Sequence, residues 1–301
     1  MLFTDTTPEQ KRAALRQGLD SGKLLRFPGA FSPLVAMLLE EQGFDGIYIS
    51  GAVLANDLGL PDIGLTTLTE VSQRGRQIAR VTKLPSIIDI DTGFGEPMNV
   101  VRTVLELQEL GLAGCHLEDQ ENPKRCGHLD HKQIVDVATM TRKIKAASDA
   151  KRDANFLLIA RTDARASEGL QAAIDRANAY ADAGADMIFP EALQDESEFE
   201  AFRKGVSVPL LANMTEFGKS KLLDAKALES LGFNLVIYPV TSLRLAMHAV
   251  EHAFADIKQS GTQAHLLEQM QPRSRLYDIL RYSDYNAFDQ DIFNFSLTED
   301  Q

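Results

Sequence analysis

Between residues 24 and 259, short runs rich in Val, Ile, Leu and Phe alternate with stretches whose apolar residues recur every three or four positions. The short runs predict buried strands, and the longer stretches predict amphipathic helices laid against them. Strands are expected at 24–27, 46–50, 86–91, 114–119, 156–162, 187–191, 210–214 and 235–238. One helix carries its own start and stop signals: Ser32 as the cap, Pro33 in the first turn, Leu34, Val35, Leu38 and Leu39 as the apolar face, and Gly43 at the end. Others are expected over 100–110, 132–147, 170–183, 225–231 and 242–259. Eight strand–helix units are the count of a (β/α)8 TIM-type barrel. A doubly wound open sheet competes, but Thr92-Gly93-Phe94-Gly95 lacks the full glycine fingerprint of a dinucleotide-binding turn.

After Gly261 the pattern changes to short helical stretches with an apolar and aromatic face, from Leu266 to Phe295. Such a face needs a cover. The expected organisation is a catalytic barrel over 1–260 and a C-terminal helical extension over 261–301 that packs on a neighbouring subunit. Exchange of a terminal helix is one route to such an assembly.

With 301 residues, 44% of them hydrophobic, the chain can bury a large core. Its formal net charge of −12 argues against nucleic acid and against an anionic membrane surface. No run of about eighteen apolar residues suggests a membrane span, and residues 1–22 lack the apolar stretch of a secretory signal. Cys115 and Cys126 are too few for a disulfide framework, so a reducing cytoplasm is the expected location.

Polar residues collect where the expected strands end: Ser50-Gly51, Asp89 and Asp91, Glu118-Asp119, Arg161 and Asp163, Glu191, Asn213 with Thr215-Glu216, and Tyr238 followed by Arg244. In a β/α barrel these ends form the mouth that carries the active site, so an enzyme is expected. Asp89 and Asp91 share one face of their strand, and two carboxylates together call for a cation, Mg²⁺ by preference for oxygen ligands. The alternative is a pair of helix-capping aspartates. His116 and Glu118 share a parity that turns them inward; Cys115 and Leu117 should face the helices. Cys126, in Lys124-Arg125-Cys126-Gly127-His128, is then the functional thiol, its flanking cations favouring the thiolate. Arg161 suits a bidentate grip on a substrate carboxylate, or else a salt bridge to Glu191 or Asp163.

The motifs K-R-C-G-H at 124–128, D-I-D-T-G-F-G at 89–95, H-L-E-D-Q at 116–120 and A-R-T-D-A at 160–164 resemble those of the isocitrate lyase/phosphoenolpyruvate mutase superfamily. The resemblance continues through Phe189–Ala192 and Leu211–Gly218 to Arg273. It implies a Mg²⁺-dependent carbon–carbon lyase acting on a small tricarboxylate of the methylisocitrate type, giving pyruvate and succinate. Isocitrate cleavage, giving glyoxylate, is the alternative. It also implies a homotetramer built from helix-swapped dimers. By resemblance Asp89 and Asp91 hold the metal and Cys126 is the catalytic acid. Ser50, Gly51, Ala52, Gly127, Arg161, Glu191, Asn213, Met214, Thr215, Arg244 and Arg273 contact substrate. Tyr48, Asp62, His116, Glu118, Lys124 and His128 complete the site, with Tyr48 or Lys124 as candidate base. Ala52 stands where the family often has a third glycine. Phosphonopyruvate and oxaloacetate enzymes of the same superfamily lack the cysteine loop, and a catalytically silent polycarboxylate sensor is the non-enzymatic alternative.

Overall fold

The computed structural model describes residues 5–125, 127 and 132–295. Eight strands are present: β1 Leu25–Pro28, β2 Ile47–Ile49, β3 Ser86–Asp89, β4 Gly114–Glu118, β5 Leu157–Thr162, β6 Met187–Pro190, β7 Leu211–Asn213 and β8 Leu235–Tyr238. Each lies within two residues of its expected bounds. Strands β2 to β6 pair in chain order, and β8 lies between β1 and β7, always parallel. Parallel bridges between Gly29 and Tyr48 and between Ile188 and Leu210 join the two sheets, so the order closes on itself into an α/β barrel.

Alternation along the strands builds two apolar layers. Phe27, Tyr48, Ile87, Ile159, Phe189 and Ile237 point into the barrel. Their strand neighbours, among them Ile88, Cys115, Leu117, Ala160 and Val236, pack with the helices outside. Those helices are α2 Pro33–Glu41, α3 Gly51–Asp57, α4 Leu68–Ala79, α5 Pro97–Glu109, α6 Val137–Asp149, α7 Ala164–Ser167, α8 Leu170–Asp182, α9 Glu196–Gly205 and α10 Ala225–Ser230.

One helix that the sequence pattern did not suggest, α1 Pro8–Asp20, closes the other end of the barrel. Its Leu15 and Leu19 join the interior layer. Its Lys11 donates to the carbonyls of Ala79 and Thr82 at 2.8 and 2.6 Å, and Arg12 to those of Leu112 and Gln108 at 2.9 and 2.5 Å. Both cations therefore sit on carbonyls where α4 and α5 end, the negative poles of those helices. Helices α3, α4, α7 and α9 were also not expected. The helix expected over 132–147 starts only at Val137, because Asp136 caps it by accepting from the Thr139 N–H at 2.7 Å. The preceding residues are used elsewhere: Gln120 and Ile134 form an antiparallel bridge.

The chain divides into two compact units, Met1–Arg244 and Leu245–Gln301. This break falls inside α11, Thr241–Ser260, ahead of the 260/261 boundary expected from the sequence. The second unit continues through a 3₁₀ turn at Ala264–Gln269, α12 Arg273–Ile279 and α13 Tyr282–Phe293. Leu266 and Ile279 are buried, whereas Phe254, Tyr282, Phe288 and Ile292 are exposed.

The two layers make opposite demands on Cys115 and on the mouth. Cys115 is fully buried among apolar neighbours, and burial, aided by Asp186, pushes its thiol up to about 12. Cys115→Ser places a hydroxyl there and should lower the unfolding free energy by about 1–3 kcal/mol, as read from the urea midpoint.

Candidate active site

The mouth is organised around Gly51, the first residue of α3. A Cβ at this position would lie 2.9 Å from Asp89 Oδ2 and 3.2 Å from Asp91 Oδ1, so both carboxylates converge on a place only glycine can occupy. The Gly51 N–H donates to Asp89 Oδ2 at 3.2 Å, and the Asp91 N–H to Asp89 Oδ1 at 2.9 Å. Simple strand alternation does not bring the pair together. β3 ends at Asp89, and Asp91 adopts φ 49° in the turn beyond. Neither aspartate is the N-cap of a helix; Ser50 caps α3 and Glu96 precedes α5.

Burial works against ionising Asp89, but His116, Lys124, Arg161 and the Asp91 N–H outweigh it and hold its carboxyl below the ordinary range. Burial and the Asp89 charge push Asp91 up to about 6, against the pull of Lys124. Two like charges in one pocket separate in this way. The Lys124 ammonium lies 2.8 Å from Asp91 Oδ1 and also contacts Asp62. Burial would neutralise it, yet Glu118, Asp91, Asp89 and Asp62 together keep it firmly charged.

On the inner wall, Tyr48 OH is 2.8 Å from His116 Nε2, and that nitrogen is 3.7 Å from Asp89 Oδ1. Burial lowers the His116 ring more than Asp89 raises it, and burial also lifts the Tyr48 phenol well above its usual value. Both shifts favour the neutral forms, and the phenol and the imidazole share one hydrogen bond. Phe189 meets the His116 ring edge-on at 5.3 Å and lies under the Arg161 guanidinium at 5.2 Å.

Arg161 is the hub of the other half. Its Nε lies 2.9 Å from Asp163 Oδ2 and 3.2 Å from Glu118 Oε2, its Nη2 3.2 Å from Asp163 Oδ1, and its Nη1 3.4 Å from Glu191 Oε2. The salt-bridge reading of this guanidinium is thus realised. Asn213 Nδ2 approaches both Glu191 oxygens at 3.4 and 3.5 Å. Glu118 is buried and, among the described residues, neither oxygen accepts a hydrogen bond. Burial lifts its carboxyl well above the usual range, against Arg161.

Gly127 lies against this hub. A Cβ there would fall 2.3 Å from Arg161 Nη2 and 2.7 Å from Glu191 Cδ. Cys126 and His128 lie outside the described residues. Thr215 and Ser50 are buried at the mouth, and Ala52 follows Gly51 in α3. Met214 is a correction. One residue beyond Asn213 it turns outward, joins the helix layer, and its sulfur accepts the Leu223 N–H at 3.2 Å. Arg244 stacks over exposed Phe217 at 5.2 Å and lies 3.7 Å from Glu216. Arg273 is the first residue of α12 in the second unit.

Two residues of the mouth carried no assignment in the sequence. Lys132, expected inside a helix, places its Nζ 2.5 Å from Asp163 Oδ1 and also donates to the Gly127 carbonyl. Gln120 clamps the loop, donating to the Arg125 carbonyl at 2.9 Å and accepting the Arg125 N–H at 2.8 Å. A lone lysine between apolar stretches and a glutamine after two acids carry no spacing signal.

Asp62, Asp89, Asp91, Glu118, Asp163 and Glu191 therefore face Lys124, Lys132 and Arg161, an excess of three formal negative charges. No group of three or more His, Cys, Asp or Glu side chains has metal-holding geometry among the described residues. A pair of carboxylates is nonetheless the usual protein contribution to a Mg²⁺ site, with water and substrate supplying the rest. The donor set fits: oxygen ligands, surplus negative charge, and orphaned Glu118 oxygens behind them.

Comparison with known proteins agrees with this chemistry. The family model for phosphoenolpyruvate phosphomutase matches residues 15–258. A probable 2-methylisocitrate lyase 2 of Corynebacterium glutamicum is 60% identical, covering 96% of this chain and 94% of its own. A 2-methylisocitrate lyase of Bacillus subtilis is 47% identical, covering 95% of both. Among solved structures, 2,3-dimethylmalate lyase, a PEP mutase/isocitrate lyase superfamily member, superposes with a TM-score of 0.89 at 30% identity, covering 97% of this chain and 99% of that one. A phosphonopyruvate hydrolase in complex with oxalate and Mg²⁺ gives 0.85 at 32% identity, covering 93% and 98%. With its barrel, its carboxylate mouth and these likenesses along most of its length, the chain belongs to the phosphoenolpyruvate phosphomutase family, within the isocitrate lyase/phosphoenolpyruvate mutase superfamily.

Proposed function

We propose that this chain is a carbon–carbon lyase that cleaves 2-methylisocitrate to pyruvate and succinate, the step that serves propionate breakdown through the methylcitrate cycle. The observation that carries the reading is the surplus of buried carboxylate beside Arg161, in a chain 60% identical to a probable 2-methylisocitrate lyase. That surplus suits a divalent cation with a polyanionic substrate bound to it. Asp89 and Asp91 are the residues that would hold Mg²⁺, with Glu118, His116 and Asp62 behind them. When bound, the ion supplies Lewis acidity toward the substrate's hydroxyl and carboxylate.

The chain's own groups then divide the remaining work. Arg161 grips a carboxylate of the succinate half through the edge not taken by Asp163, with Asn213, Thr215, Glu191 and Arg244 completing recognition. The hydroxyl proton passes to a basic group of the mouth, the oxygen electron pair it leaves forms the pyruvate C=O, the bond between the carbinol carbon and the succinate carbon breaks, and its electron pair moves onto the succinate carbon. Cys126 delivers the proton that completes succinate. Lys124 is held charged and Tyr48 is held protonated, so neither begins as the base. Phe189 is the apolar surface on the inner wall for the extra methyl group. Phe94 lines a cleft of about 630 Å³ with Thr66, Thr92 and Asn122 that reaches Asp91 and is a second apolar surface for that methyl group. The protein is read as cytoplasmic, and its second unit as the helix-swapping extension of a homotetramer, which would cover Phe254, Phe288 and Ile292.

Steady-state assay with methylisocitrate, isocitrate and oxaloacetate tests the assignment. One methyl in an apolar recess should favour methylisocitrate over isocitrate by about 10- to 200-fold in kcat/KM. Exhaustive chelation should abolish the activity. A higher kcat/KM for isocitrate would promote isocitrate lyase instead.

Cys126→Ser should reduce kcat by about two to four orders of magnitude, the range for a positioned proton donor, with little change in KM. Rapid-quench measurement of the chemical step, together with circular dichroism, separates this loss from misfolding.

Truncation before Leu276 should give monomers or insoluble protein in light scattering. An unchanged oligomeric mass would rule out the helix exchange.

A further inference from the structure

Asp163 is used twice, and the second use has no part in gripping substrate. It is fully buried, and burial opposes its ionisation; Arg161 and Lys132 hold the carboxyl far below its ordinary range all the same. Its Oδ2 takes Arg161 Nε at 2.9 Å, its Oδ1 takes Arg161 Nη2 at 3.2 Å, and the same Oδ1 takes Lys132 Nζ at 2.5 Å. Asp163 is itself fixed from behind: its N–H donates to Asp119 Oδ1 at 2.8 Å, and Asp119 Oδ2 accepts from Thr162 Oγ1 and Tyr180 OH, each at 2.8 Å. The Lys132 ammonium, 3% exposed, also donates to the Gly127 carbonyl. Lys132 enters from the antiparallel return segment, where the Glu121 N–H donates to Gln133 O and the Val135 N–H to Asp119 O at 2.9 and 2.8 Å.

We infer that Asp163 and Lys132 form a positioning pair that fixes Arg161 and the Gly127 backbone as one unit. The Nε–Nη2 edge of the guanidinium is spent on Asp163, which turns its remaining N–H groups toward the mouth. The ammonium that balances Asp163 also tethers the residue next in sequence to Cys126. A salt bridge that served stability alone would need only one of these contacts. This inference deepens the lyase reading and rests on it for the role of Arg161.

The test uses full-length Lys132→Met, Lys132→Arg, Asp163→Asn and the Lys132→Met/Asp163→Asn double variant. Lys132→Met and Asp163→Asn should each lower kcat/KM by about 100-fold, shared between higher KM and lower kcat, because misplacing a fixed group by about 1 Å costs that much. Lys132→Arg keeps the charge and should stay within about threefold of wild type, and the double variant should lose less than the product of the single losses, since no buried charge is left unpaired. Hydrogen exchange supplies a readout that needs no activity: peptides spanning 120–136 should exchange faster in Lys132→Met while the rest of the barrel is unchanged. Unaltered kcat/KM with unaltered exchange, or a uniform rise in exchange across the barrel, would overturn the pair. A wild-type protein inactive on methylisocitrate would instead remove the lyase reading and leave the exchange result to decide the pair. If Lys132→Met does not fold, the double variant carries both measurements.

Discussion

The mouth of this barrel is short of positive charge. Among the described residues six carboxylates share a largely buried space with three cations, and the shortage shows in how each acid behaves. Asp89, which accepts two backbone N–H groups, and Asp163, held between Arg161 and Lys132, stay below the ordinary range. Asp91 and Glu118, where burial outweighs the nearby cation, are pushed up. The stability consequence has a definite sign. Asp91 titrates at about 6 in the folded chain and near about 4 in an unfolded one, so the folded state binds the extra proton between those values. Stability is therefore lost as pH rises through that window. A cation beside Asp91 would favour its ionised form and work against that loss.

The barrel makes such a concentration of charge possible by separating two tasks on each strand. On β4 and β5, Cys115, Leu117, Leu158 and Ala160 hold the helices while His116, Glu118, Ile159 and Arg161 face inward, apolar toward the bottom and polar at the top. Below the polar level, Ile87, Ile159, Phe189 and Ile237 exclude water, with α1 as the floor. Asp89 and Glu118 are thus anchored on strands, Asp91, Asp163 and Glu191 sit just beyond strand ends, and Lys124, Lys132 and the glycines come from the segments that follow the strands. Rigid support below and adaptable loops above is the division that lets one barrel serve many reactions.

Much of this was legible in the sequence because buried strands and terminal acids leave a strong mark. All eight strands, the outward Cys115, and the inward His116 and Glu118 follow from alternation and strand ends, whereas Asp89 and Asp91 meet only through the turn after β3. The residues that escaped did so for physical reasons. In α1 the buried positions Lys11 and Arg12 are cations whose heads satisfy carbonyls, so hydrophobic pattern alone cannot find them. Lys132 looks like a helix residue, because its partner Asp163 is distant in sequence and only the return segment brings them together. Met214 was carried along with Asn213 by a motif, although a single step along a strand reverses its side. The left-handed Asp91 has no signal, since only the crowding at Gly51 requires it.

The same charge shortage bears on which group takes a proton at the mouth. Lys124 faces four carboxylates and keeps its charge. Tyr48 is hydrogen-bonded to His116, and burial makes the phenolate costly. Asp89 accepts two backbone N–H bonds, which stabilise its ionised form and weaken it as a base. Glu118 differs from all of these: it is buried, both oxygens lack a donor among the described residues, and its carboxyl sits well above the usual range. A carboxylate destabilised in this way gains most from receiving a proton, and it lies on the strand between the aspartate pair and Arg161. Burial, which outweighs the pull of Arg161 and Lys124, is what lifts Glu118, and among the described acids of the mouth it shares that upward shift with Asp91.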